Sequence, residues 1–212
     1  MASLRDMNRA RSAALVSVTV VLVAACSAAA MPAVQDGDII FQTSRSSQSL
    51  AIQHATHSPY SHMGLVLYRD GRPFVLEAVA TVRYTPLAEW IDRGVGRHFV
   101  VKRLRDAQTI LTPARVARLR RAGEQLRGRQ YDPSFRWTDE HLYCSELVWK
   151  AYARGVGVEI GALQQLREFD LSAPDVRAQI NRRYGARVPL GEPVISPAAM
   201  FADADLITVA TR

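Results

Sequence analysis

Along the body of the chain, apolar positions come first in short strand-like runs and later at helical spacing. Residues 38–42 make a short apolar strand, and residues 46–56 can form a helix with Leu50 and Ile52 among its apolar positions. Residues 63–68 and 74–79 are β-rich runs separated by Arg69-Asp70-Gly71-Arg72. Asp-Gly is a favoured two-residue turn, so these runs are predicted to form a hairpin. Residues 98–104 are a further strand candidate. Thr112 and Pro113 supply an N-cap and a first-turn proline for a helix that carries Val116, Leu119 and Leu126 on one side. Another helix starts near Cys144, with Leu147, Val148, Ala151 and Tyr152 on its apolar face before Gly155. Later helices are expected after Ser172 and Ser196. Strands gathered early with helices around them predict an α+β fold.

The amino-terminal end follows a different pattern. Residues 1–11 are short and positive, and residues 12–25 are apolar and end in small side chains. That is the layout of a secretory signal. Leu22-Val23-Ala24-Ala25-Cys26 resembles a bacterial lipoprotein lipobox. The resemblance implies cleavage before Cys26, diacylation of its sulfur and acylation of the new amino terminus, which together attach a protein stably to a membrane. Ordinary cleavage after Ala28-Ala29-Ala30 is the alternative, and it would release a soluble periplasmic protein. The chain is therefore divided into a signal segment at residues 1–25, a tether at 26–36 and one domain at 37–212. No second apolar run approaches the roughly 20 residues of a membrane span.

Composition adds a few constraints. Of 212 residues, 48% are hydrophobic and 22% charged, enough apolar content for a sizeable core. The formal charge is +7, and Lys102 and Lys150 are the only lysines, so the positive charge is almost all arginine. Arginine recognises carboxylates and phosphates, although scattered surface charge accounts for the same balance. No basic run is interleaved with aromatics, so nucleic acid is not an expected partner. With Cys26 spent on lipid or removed, Cys144 has no partner for an intramolecular disulfide. A lone thiol in an oxidising compartment needs an explanation, and catalysis is the leading one.

Tyr143-Cys144-Ser145-Glu146 places that thiol at a predicted helix N-terminus, where free backbone amides and the helix dipole favour the nucleophilic form. The same amides suit an oxyanion. A buried core cysteine is the other reading. Five histidines could serve as base: His54, His57, His62, His98 and His141. His62 stands out because Tyr60-Ser61-His62-Met63-Gly64 leads directly into the first hairpin strand. The His54-x-x-His57 spacing occurs in metal sites, but with nothing more it reads as a solvated helix end, and no metal or other cofactor is expected. If Asp70-Gly71 is the turn, facing residues have numbers that sum to 141, which sets Gly64 opposite Glu77 and makes His62 and Glu77 diagonal neighbours on one face. A three-residue loop would separate them. An unpartnered carboxylate in Phe74-Val75-Leu76-Glu77-Ala78-Val79 would be costly, although an outward-facing edge glutamate would escape that cost.

These segments resemble the permuted papain-like, NlpC-type amidases of the YiiX/YaeF lipoprotein-like group. The resemblance runs from about residue 37 to 206. It rests on Gly37-Asp38-Ile39-Ile40-Phe41, Tyr60-Ser61-His62-Met63-Gly64, Leu76-Glu77-Ala78-Val79, Tyr131-Asp132 and Tyr143-Cys144-Ser145-Glu146-Leu147-Val148, in that order. It implies a circularly permuted papain-like fold, a small antiparallel sheet or barrel packed against helices, and a catalytic triad of Cys144, His62 and Glu77. Related enzymes place a tyrosine near the oxyanion, which makes Tyr131 a candidate there, with a core tyrosine as the alternative. The expected activity is hydrolysis of an amide in the cell envelope. A cell-wall peptide is the first substrate class, a lipid amide or ester the second, and a non-catalytic binding lipoprotein the third reading.

Overall fold

The order in which short strands and helices alternate fixes how this chain folds back on itself. The computed structural model describes residues 31–212, so the signal segment and Cys26 lie outside the described residues. Strand β1 (Ile39–Gln42) is followed by helix α1 (Ser49–Thr56), then by β2 (His62–Arg69), β3 (Arg72–Ala78) and β4 (Val82–Pro86). Helix α2 (Leu87–Arg93) leads to β5 (Val100–Leu104), and the short α3 (Ala107–Ile110) to the long α4 (Pro113–Leu126). Two-residue strands β6 (Gln130–Tyr131) and β7 (His141–Leu142) precede α5 (Cys144–Gly155). The chain ends with β8 (Gln164–Gln165), α6 (Pro174–Tyr184), β9 (Pro193–Val194), α7 (Pro197–Phe201) and β10 (Leu206–Thr211). Six strands form one antiparallel sheet in the order β10-β5-β1-β2-β3-β4. This is the predicted α+β architecture.

Both faces of the sheet are covered, which is why its central strands are apolar throughout. Ile39, Phe41, Met63, Leu65, Leu67 and Leu76 pack with Leu119 and Leu126 of α4 and Leu147, Val148 and Ala151 of α5. Ile40, Val66, Val75 and Val101 face the other way, against Leu87, Trp90 and Ile91 of α2. Helices α4 and α5 approach closely because Gly155 lacks a side chain: a Cβ there would meet the Leu119 Cα at 2.5 Å. Thr112 caps α4 as expected, its side chain accepting from the Arg115 amide. Lys150 is buried on α5, where it donates to Glu146 one turn earlier at 2.7 Å.

The hairpin register matches the sequence argument. Arg69 faces Arg72 and Leu65 faces Leu76. The turn is made by Asp70 and Gly71, both at positive φ (49° and 74°), the conformation a two-residue hairpin turn requires. Among the elements of five or more residues, three went unpredicted: β4, α2 and β10. The last pairs with β5 across about a hundred residues of chain, Leu206 facing Leu104.

Candidate active site

His62 opens β2 and Glu77 lies near the end of β3, on the same face of the hairpin. Gly64 lies between them, and a Cβ there would sit 2.3 Å from Val75 and 3.5 Å from the Glu77 Cβ. The missing side chain lets the imidazole lean across to the carboxylate, and His62 Nε2 meets Glu77 Oε2 at 2.7 Å. Trp90 of α2 stacks on the imidazole, ring centroids 5.8 Å apart. The N-terminus of α5 brings Cys144 to the same cleft that the imidazole lines. Since Nε2 is taken by Glu77, Nδ1 is the nitrogen left for the thiol. Cys144 is a free, buried cysteine.

Glu77 is fully buried and saturated with donors. Its Oε1 accepts from Thr85 at 2.6 Å and from Arg93 at the end of α2. Thr85 stands to Glu77 as His62 does, on the diagonal of a hairpin, because Val75 faces Thr85 and Glu77 faces Arg83. The carboxylate on the middle strand thus receives one partner from each neighbouring strand. Sequence reasoning missed Thr85, Arg93 and Trp90. The apolar–polar alternation of residues 82–86 was the signal available for Thr85, but nothing local ties Arg93 to Glu77.

This arrangement polarises the pair. Burial alone would lower the basicity of His62, but its hydrogen bonds to Cys144 and Glu77 outweigh that and hold it at about 9. Burial would raise Glu77, but His62, Thr85 and Arg93 together hold it at about 2. A proton bound more tightly in the folded chain stabilises it fully below the ordinary histidine value of 6.5, and that contribution is lost as pH rises through about 9. Folding stability should therefore decline between those two values by up to about 3 kcal/mol. Thermal midpoints measured across the range should show a smaller decline for His62→Gln. An identical slope in that variant would remove His62 as the cause.

Tyr131 also reaches the site. Burial pushes its phenol up, and the nearby Cys144 adds to the effect. Its hydroxyl oxygen accepts from the Gln48 side-chain amide at 2.6 Å, and Gln48 in turn accepts from Arg183 at 2.5 Å. Fixing the amide in that sense leaves the Tyr131 proton free to donate. His98 and His141 are exposed. His54 and His57 turn to separate carboxylates, Asp175 at 2.8 Å and Asp170 at 3.4 Å.

Residues 33–210 match the permuted papain-like amidase enzymes of the YaeF/YiiX, C92 family. The chain belongs to this family. The uncharacterized protein YiiX of Escherichia coli (strain K12) is 47% identical over 176 residues, covering 83% of this chain and 86% of that protein. A crystal structure described as the metalloprotein yiiX of Escherichia coli O157:H7 superposes with a TM-score of 0.81 at 48% identity, covering 84% of this chain and 97% of that one. Membership in this amidase family makes the fold permuted papain-like and the chemistry that of a cysteine hydrolase. The description as a metalloprotein belongs to that relative. Among the described residues here, no three His, Cys, Asp or Glu side chains converge as a metal site.

Proposed function

We propose that this chain is an exported cysteine amidohydrolase of the cell envelope, with Cys144 as nucleophile, His62 as base and Glu77 as its orienting carboxylate. The observation that carries this reading is the shared imidazole: Nε2 is held by Glu77 at 2.7 Å, and Cys144 borders the same ring. His62 takes the thiol proton as sulfur attacks the carbonyl carbon. The oxyanion is met by backbone amides at the start of α5 and by the Tyr131 hydroxyl. The carbon–nitrogen bond then breaks, the amine leaves with the proton from His62, and water resolves the thioester by the same route. Glu77 holds the tautomer and stabilises the imidazolium. Cell-wall peptides and acyl amides both present such a bond. The test is trapping: p-nitrophenyl acetate should give a burst of one nitrophenol per chain and leave an acetyl group on Cys144. Absence of that adduct overturns the reading.

The envelope part of the proposal rests on the lipobox-like Leu22-Val23-Ala24-Ala25-Cys26. Cys26→Ala should move the protein from the membrane fraction to the soluble exported fraction. Mass spectrometry of the mature amino terminus checks it, and an unacylated start at Met31 would replace the anchor with simple export.

A further inference from the structure

Arg183 carries a charge that the fold leaves without a counter-charge. It lies half-buried on α6, and among the described residues no carboxylate forms an ion pair with it. Asp132, next to Tyr131 in sequence, gives its two oxygens to the Ser134 and Arg136 amides, each at 2.7 Å. The Arg183 guanidinium instead lies 4.4 Å over the Phe135 ring and donates to Gln48 Oε1 at 2.5 Å. Taking a cation out of water is costly, and one amide oxygen and one ring offset only part of that. An apolar side chain would fill the same space without the cost.

The hydrogen bonds that follow all run in one direction. Arginine can only donate, so the Gln48 amide must turn its oxygen to Arg183 and its NH2 group to Tyr131. The Tyr131 oxygen accepts from that NH2 group at 2.6 Å. The phenol proton is thereby directed away from Gln48, and Tyr131 lines the same cleft as Cys144. Gln48 stands at the N-cap of α1, yet its side chain does not cap that helix. It is engaged at both ends by Arg183 and Tyr131 instead. Hydrogen bonds arranged head to tail polarise one another, most strongly where water is scarce.

We infer that Arg183 and Gln48 are positioning residues for the oxyanion: they fix the Tyr131 hydroxyl as a donor and lend it the pull of the arginine charge. This inference rests on the oxyanion role proposed for Tyr131. As sulfur adds to the carbonyl carbon, the π electron pair moves onto oxygen, and the Tyr131 O–H meets the charge forming there. The proton stays on Tyr131, and the pair returns to the carbonyl when the leaving group departs. Without the relay the hydroxyl can turn its proton to Gln48, where the oxyanion gains nothing from it.

The deciding substitution is Gln48→Glu in the purified protein, which keeps the shape and pairs the new carboxylate with Arg183. The thermal midpoint should equal or exceed that of the unaltered protein. The same carboxylate also accepts from Tyr131 and so draws the phenol proton off the oxyanion. The acylation rate, read from the p-nitrophenyl acetate burst, should therefore fall at least about tenfold. A merely structural Gln48 would show no such loss in a protein of undiminished stability. Tyr131→Phe should lower the rate about 10²- to 10³-fold, the effect of losing one oxyanion donor. Arg183→Met, which frees the Gln48 amide to turn over, should lower it at least about threefold. Beside Tyr131→Phe, either of the other two substitutions should change the rate by less than about threefold, because all act through one hydroxyl. A full burst rate in Gln48→Glu, or a loss that persists undiminished beside Tyr131→Phe, overturns the relay. A full rate in Tyr131→Phe overturns the relay and the oxyanion role of Tyr131 but leaves Cys144 as nucleophile. No acetyl group on Cys144 in the unaltered protein overturns the relay and the thiol reading together.

Discussion

Replacing Cys144 by serine should lower turnover of any substrate by at least about 10⁴-fold, the scale seen when the nucleophile of a cooperating triad is lost. Serine is nearly isosteric with cysteine, and the side chain sits at the start of α5 beside Tyr143 and Leu147, all inside the main core. The change should therefore leave the thermal midpoint within a degree or two, since no cavity is opened and one polar hydrogen replaces another. The kinetic loss has a separate origin. A hydroxyl is a far weaker nucleophile than a thiol and gives up its proton to His62 far less readily. Burst amplitude with p-nitrophenyl acetate and calorimetry on the same preparation check the two halves together. Retained turnover would mean that another group attacks the carbonyl.

How much of this was legible in the sequence depended on the distance over which each feature is determined. Asp70-Gly71 fixes its hairpin from within four residues, so the register could be derived, and with it the shared face of His62 and Glu77. Thr112-Pro113 fixed the start of α4 by the same kind of local chemistry. The strand β10 was missed because its partner β5 lies about a hundred residues earlier, and a short alternating run gives no sign of what it pairs with. Arg93 was missed for a related reason. It reaches Glu77 only because α2 crosses the Val66 and Val75 face of the sheet, and that packing is set by the core rather than by any local pattern. An apolar cleft at Cys144 is the extreme case. Its walls come from α1, α5, α6 and the segments beside β8 and β9, which the chain order does not bring together.

Glu77→Gln should cost about 10³- to 10⁴-fold in kcat, the size of effect found when a triad carboxylate is replaced by its amide. Glutamine keeps the shape and can still accept from Thr85 and Arg93 through its oxygen, so the sheet should form. Its amide nitrogen would then face His62 Nε2, donor towards donor if the imidazole keeps its proton there. The ring must expose a lone pair at Nε2 instead, which moves the neutral ring's proton to Nδ1, the nitrogen that has to accept from Cys144. That is the tautomer least able to take the thiol proton. The imidazolium formed during attack also loses its fixed negative partner, in a site where Glu77 is fully buried and water cannot substitute. Stability should fall as well, by about 1–3 kcal/mol, because the Arg93 charge loses its carboxylate at a half-exposed site. Thr85→Val separates the two contributions: it removes one hydrogen bond to Oε1 but leaves the charge, so it should slow kcat by no more than about tenfold. The pH profile of kcat, measured for all three proteins, distinguishes orientation from simple destabilisation. A Glu77→Gln enzyme with full kcat would reduce the centre to a Cys144–His62 dyad and leave the buried carboxylate as a structural anchor for Arg93 and Thr85.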